Sequence, residues 1–326
     1  MTNPLLEMAG LPPFSKIKPE HVEPALDVLL AESRQVVEDL LAATTEYSWD
    51  NLIQPLEEME ERLGRVWSPV SHMNSVVNSD ELREAYNACP PKLSDYGTEM
   101  GQNEALFRAY QQLADSDEYS RLDTARQKII DNALRDFHLS GIALDDADKS
   151  HFKTLKQELS TLTATFEENV LDATHGWEKY IEDETQLAGL PESAIALARQ
   201  NARQAGKAGW LFTLEFPSYY PIMTYADDAA LREEMYQAYV TRASAHGPNA
   251  GKWDNAANMQ KILKRRHQVA QLLGYKNYAE RSLATKMASS PDTVLGFLND
   301  LAERSVSMAR AEFSELQEFA KTGFSV

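Results

Sequence analysis

The 326-residue sequence predicts a mainly α-helical protein carrying one short β ribbon. Three observations lead there. Apolar residues recur every three to four positions through almost the whole chain, which gathers them on one side of a 3.6-residue helix. Only 209–225 is rich enough in aromatic and β-branched residues to read as extended, with alternation at Leu211, Thr213 and Glu215. No fixed-period repeat occurs, which disfavours a helical solenoid.

Each element has a local reason. Pro19 introduces a helix whose stripe is Val22, Leu26, Leu29, Leu30, Val36, Val37, Leu40 and Leu41. Ser48 or Asp50 caps the next, with Leu52, Leu56, Met59, Leu63, Val66 and Trp67 on its apolar side. Pro69 is expected to interrupt or end it, because the ring lacks an N–H and collides with the preceding turn. The same rule divides 79–112 at Pro90-Pro91 into two helical pieces. Residues 118–138 give another helix, closed by Gly141 where a left-handed cap favours glycine. The longest helix runs from Asp145 to about Tyr180, with Phe152, Leu155, Leu159, Leu162, Phe166 and Val170 aligned over roughly 50 Å. Pro191 opens a short helix ending near Gly206. The extended segment 209–225 follows, confined to a sheet edge by Pro217 and Pro221. Helices resume at 228–245, 254–273, 277–287 and 291–321. Asp227, Asp254 and Ser290 start the first, second and fourth, with Pro291 at the first helical position. The expected boundary lies near 181–210. It separates an amino-terminal helical domain, 1–180, from a second helical segment with the ribbon, 181–326. The sequence stops at Gly323-Phe324-Ser325-Val326 directly after a helix, the ending that a cut through a longer protein would leave.

Composition narrows the function. Hydrophobic residues make up 43% and charged residues 25%, ordinary for a globular protein. Thirty-two basic residues against 50 acidic ones give a net charge of −18, which repels phosphate backbones and argues against nucleic acid as a partner. The densest basic run is Lys261, Lys264, Arg265, Arg266 with His267. A solvated face or ion-pair network is its first reading and a phosphate site its second. Cys89 is the only cysteine, so no intrachain disulfide is available and a reducing compartment fits. Beside Pro90-Pro91 and with no histidine near in sequence, it reads as a small buried side chain rather than a nucleophile. The opening MTNPLLEMAGLPPF lacks a basic leader and no run of 18 apolar residues occurs, so a cytoplasmic protein without membrane association is expected.

Several constellations tempt a chemical reading. His246 to Lys252 resembles a phosphate loop, but position 246 is not glycine and Trp253 follows the lysine, so an inter-helix connection is preferred. Asp172, His175 and Glu178 fan across one helical face and could hold a divalent metal weakly. A solvated trio with a local ion pair is the commoner outcome. His72, His138, His151 and His267 have no partner at ligand spacing. Trp210, Tyr219, Tyr220, Tyr225, Tyr236, Tyr239 and Trp253 cluster in sequence, mostly as core, with one or two available for a peptide-facing wall. No Gly-x-Ser-x-Gly elbow is present.

Long segments point to a family. They include LPPFSKIKPEHVEPAL at 11–26, GRVWSPVSHMNSVVNSDELREAY at 64–86, DNALRDFHLSGI at 131–142 and NVLDATHGWEKYI at 169–181. They continue as FPSYYPIMTYADDAALREEMYQAYVTRAS at 216–244, GPNAGKWDN at 247–255 and LLGYKNYAERSLATKMASSP at 272–291. In this order they resemble the amino-terminal half of the thimet-oligopeptidase family of zinc metallopeptidases. The resemblance implies an elongated helical channel protein, cytoplasmic, whose zinc is held by His-Glu-x-x-His plus a further Glu and which cleaves short peptides. It implies that this chain supplies an amino-terminal wall that limits substrate size. The motif itself is absent here: the seven histidines are followed by Val22, Met73, Leu139, Phe152, Gly176, Gly247 and Gln268, never by Glu. No catalytic, cofactor-binding or metal residue is therefore assigned. Zinc is expected in the full-length parent and not on this chain, and the partner it calls for is the missing carboxy-terminal half. If that half is absent, an exposed apolar patch should remain. The alternative is a stand-alone helical module that binds peptides or a protein without chemistry.

Overall fold

A computed structural model describes residues 3–7 and 10–323. It is mainly α. The first helices are α1 (Pro19–Ala43), α2 (Gln54–Val76), α3 (Asp80–Asn87) and α4 (Cys89–Gly101), followed by α5 (Glu104–Ala114), α6 (Asp117–Arg121) and α7 (Thr124–Leu139). Then come α8 (Asp146–His175), β1 (Glu178–Ile181), α9 (Glu192–Gln204), β2 (Trp210–Thr213), α10 (Phe216–Tyr225) and α11 (Ala229–Val240). The chain ends in α12 (Ala256–Leu272), α13 (Tyr278–Leu283) and α14 (Pro291–Gly323). The segment 324–326, on which the reading of an abrupt ending rests, lies outside the described residues. Among the described residues no helix is long and apolar enough to cross a membrane.

Side-chain caps start many of these helices by satisfying an orphan N–H of the first turn. Ser79, Asn103, Asp123 and Asp145 accept from Leu82, Leu106, Arg126 and Asp148 respectively. Before α2, Ser48 and Asn51 cap each other reciprocally across a π-type turn at Trp49–Ile53. Gly141 adopts φ +84° past the end of α7, the left-handed cap expected of it.

Three apolar clusters form. Leu26, Leu29, Val66, Val70 and Leu82 join α1, α2 and α3. Leu52, Ile53, Leu113, Ile130 and Phe137 anchor α5 and α7. Ile181, Phe212, Leu214, Ile222, Leu231 and Met235 close β1, β2, α10 and α11 together.

The structure redraws several boundaries. Pro69 does not stop α2: the ring is buried inside the helix, and its packing offsets the lost hydrogen bond. Pro90 and Pro91 fall in the first turn of α4, where no N–H is needed, and 79–112 becomes three helices rather than two. The 118–138 helix divides into α6 and α7 at Asp123, which caps the second piece. The helix from Asp145, expected to be the longest and to reach Tyr180, ends at His175 because Gly176 stops it, 178–181 turns into β1, and its 30 residues are exceeded by the 33 of α14. The ribbon near 209–225 contributes only β2. Its antiparallel partner is β1, in the register Glu178↔Thr213 to Ile181↔Trp210, and 216–225 is helical. The cap of α11 is Asp228, one residue beyond Asp227.

By backbone contacts the chain forms two compact units, 1–265 and 266–326, the division falling within α12. The second holds α13, α14 and the end of α12, with the guanidinium groups of Arg266 and Arg281 at 5.0 and 5.9 Å from the Tyr278 ring.

Candidate functional site

The first unit is organised around α8. Its upstream neighbours fix it with charged and polar pairs: Arg83 of α3 donates to both oxygens of Asp172 at 2.9 and 2.6 Å, and Asn87 donates to Glu168 at 2.5 Å. The Asp172 carboxylate raises the Arg83 pKa, and Asn78 accepts from the Arg83 Nε at 3.2 Å. Downstream, Asn255 and Asn258 tie the start of α12 to the α8 carbonyls of Phe166 and Leu162 at 3.1 and 2.9 Å. Arg242, 3.7 Å from the Tyr239 ring, donates to Thr174 at 2.8 Å. Gly176 completes the seating, since a Cβ there would run into the Trp253 ring.

Two open grooves remain along this helix. One, of about 400 Å³, lies between α2, α3 and the carboxy-terminal half of α8, with Tyr86, Phe166, Val170 and Leu171 as apolar walls and Ser71, Asn74, Ser75 and Thr174 as polar points. Tyr86 is set by stacking on Trp67 at 5.0 Å and 14°. Burial raises its pKa while a hydrogen bond with Ser71 opposes the rise. The other groove, of about 460 Å³, lies between α8 and α12, lined by Gln157, Glu158, Thr161, Leu162, Lys261 and Arg265.

The residues singled out by sequence scatter. Asp172 pairs with Arg83, His175 faces Glu215 at 3.6 Å, and Glu178 faces Lys207 at 4.0 Å, so the three residues face three separate partners. Among the described residues no group of three or more His, Cys, Asp or Glu converges as a metal site, and the residues present do not fit a zinc ion. Of the basic run, Arg265 pairs with Glu158, Arg266 lies over Tyr278, and Lys264 and His267 are exposed, which fits the solvated, ion-paired reading. His246 to Lys252 is a connection after α11 with Gly247 and Gly251 at φ +81° and +77° and Lys252 over the Trp253 ring at 4.0 Å. His72 and His138 lie beside Phe14 and Phe107, and His151 is exposed. Trp210 is core, and Tyr219 stacks on Tyr239 at 3.9 Å, whereas Tyr220, Tyr225 and Tyr236 stay about half exposed.

Cys89 is buried, its thiol directed at the Ala85 carbonyl at 3.3 Å, and burial pushes its pKa up to about 11. A thiolate is the reactive species, so native protein at pH 8 should resist iodoacetamide and react on unfolding. Rapid native alkylation, followed by mass, would contradict this placement.

Tyr86 lines the first groove, and Arg83, Asn169, Asn255 and Asn258 hold α8 against its neighbours; none of the five was singled out by sequence. The available signal was polar residues three apart, Asn255 and Asn258, at the start of an otherwise apolar-striped helix; their partners lie 86 and 96 positions away.

Residues 26–149 match the family model of the neurolysin/thimet oligopeptidase N-terminal domain, and 222–325 match peptidase family M3. Over all 326 residues the chain is 55% identical to oligopeptidase A of Salmonella typhimurium and 54% identical to that of Escherichia coli, covering 48% of each. It is 38% identical to a probable cytosolic oligopeptidase A of Arabidopsis thaliana, with 98% of this chain and 46% of that protein aligned. The chain thus spans about half the length of the curated relatives it matches, their amino-terminal half.

Proposed function

Because the chain belongs to the thimet-oligopeptidase family and spans the amino-terminal half of its curated members, we propose that it is the non-catalytic half of a zinc-dependent oligopeptidase. Its role is to form one wall of the peptide channel and limit what enters. The observation that carries this reading is the end-to-end match to relatives twice its length, together with the lack of His-Glu-x-x-His among its 326 residues. A zincin needs two imidazoles one helical turn apart, with a glutamate between them to activate the bound water. These residues cannot supply that arrangement, so zinc and the hydrolytic groups belong to the other half. The grooves along α8 support the wall role, offering apolar surface and fixed polar points to an extended substrate. The cytosolic designation of the Arabidopsis thaliana relative supports a cytoplasmic location.

The test is hydrolysis of a quenched short peptide by this chain, by the separately produced carboxy-terminal half of a relative, and by their mixture. We expect turnover only in the mixture and its loss on adding a chelator. Hydrolysis by this chain alone, with one zinc bound per chain, would overturn the reading.

A further inference from the structure

The groove of about 400 Å³ along α8 owes its width to the α2 side. Ser71, Asn74 and Ser75 recur there at i, i+3 and i+4, one face of a helix, and line the groove opposite Val170 and Leu171 of α8. A helix ordinarily turns large apolar residues to its neighbour, so small polar ones at these positions leave a gap between the two. The charges at the gap are asymmetric. Glu167 and Glu168 both line it, and Glu167 is exposed and in no ion pair among the described residues. Burial is the chief cause of the raised Tyr86 pKa, and both carboxylates add to it, which places them within electrostatic reach of the groove wall. Thr174 lines the same groove, and its hydroxyl accepts from Arg242 at 2.8 Å. Arg242 lies over the Tyr239 ring and has no carboxylate partner among the described residues.

We propose that this groove binds a short free peptide, about three residues long, with its terminal ammonium at Glu167 and its terminal carboxylate at Arg242. Distance carries the argument. Positions 167 and 174 lie about 10 Å apart along the helix at its rise of 1.5 Å per residue. An extended tripeptide spans about 10 Å between its ends. Opposite charges at that separation match a zwitterion, whereas a diamine or a dicarboxylate would set a like charge against one end. The Arg242 Nε donates to the Tyr239 carbonyl at 2.9 Å and Nη1 to Thr174, which fixes the head and leaves Nη2 to a ligand. Leu171 and Tyr86, the latter set by its stack on Trp67, give apolar surface for the side chains between the two ends. The volume falls within the roughly 300–1,000 Å³ of small-molecule sites.

The choice of a peptide as the source of the two end charges rests on the peptidase reading; the charge spacing does not. Methyl-detected NMR of the full chain, titrated with the tripeptide Leu-Ala-Leu, should show one saturable site through the Val170 and Leu171 methyls. Acetylating its amino end or amidating its carboxyl end should each weaken binding about fivefold to tenfold, the worth of a partly exposed charged contact. Glu167→Gln should weaken the free peptide by the same factor and leave the acetylated one unchanged. Arg242→Gln should weaken the free peptide and spare the amidated one. Glu167 is exposed, so its variant carries the test even where circular dichroism shows that Arg242→Gln perturbs the fold. Equal binding of free and doubly blocked peptide would overturn the proposal. So would a Glu167→Gln loss that is the same for free and acetylated peptide, or the lack of any saturable shift. Tripeptide binding with no turnover in the mixture of halves would keep the site and remove the peptidase reading. Turnover in the mixture without tripeptide binding would remove the site alone.

Discussion

Phe212→Ala is expected to destabilise the protein by roughly 3–5 kcal/mol. Phe212 is 1% exposed in β2 and belongs to the cluster that closes β1, α10 and α11. Opposite residues of an antiparallel pair share a face of the sheet, so Phe212 lies on the side of Lys179, whose ammonium pairs with Glu234 of α11 at 2.6 Å. The sheet is only two strands, and such a ribbon is marginal unless its face is covered. Truncation removes the covering side chain and leaves a cavity that β1 and β2, four residues each, are too short to collapse around. Against a typical net stability of about 5–15 kcal/mol this is a large fraction. Urea unfolding followed by circular dichroism measures it. A loss under about 1 kcal/mol would mean the site repacks freely and that Phe212 is not central to the cluster.

Asn255→Ala should cost roughly 2–4 kcal/mol, through polar groups left unpaired rather than through lost volume. Asn255 is 2% exposed. Its amide donates to the Phe166 carbonyl at 3.1 Å, and its oxygen accepts from Asn169 at 2.9 Å and Asn258 at 3.3 Å. Alanine strands the Asn169 amide against α12 with no acceptor. The mechanism predicts non-additivity: in a double-mutant cycle, Asn169→Ala should cost far less in the Asn255→Ala background than in the native one. Strict additivity would show that the two amides are not coupled, whatever the size of each single effect.

The sequence was read well where local signals and burial agree. The stripe of α1, the cap at Ser48, the beginning of the long helix at Asp145 and the left-handed Gly141 all stand where the pattern put them. It was misread where composition and period disagree. In 216–225 the aromatic content suggested a strand, but Ser218, Tyr219, Ile222 and Met223 recur at helical spacing, and Ser218 and Ile222 are buried. Period was the better guide there, because packing rather than side-chain class decides the outcome. Pro69 shows the converse: the local rule against helical proline is real, yet burial of the ring on the core side outweighed it. β1 was hidden for a third reason. A four-residue strand at the end of a long helical pattern has no signature of its own, and its partner lies some 30 residues downstream. The grooves were illegible for the same cause. The pairs that hold α8 beside its neighbours, Arg83 with Asp172 and Asn255 with Phe166, are each 89 residues apart.

Those separations also bear on assembly. Strands β1 and β2 pair across an intervening segment that holds α9, a nearer connection than those that hold α8. Helix α8 is stitched to its two flanks over 45 to 96 positions, and closing loops of that length is entropically costly before any contact repays it. The grooves along the long helix are thus built from contacts distant in the chain, and exist only where both flanks have closed on it.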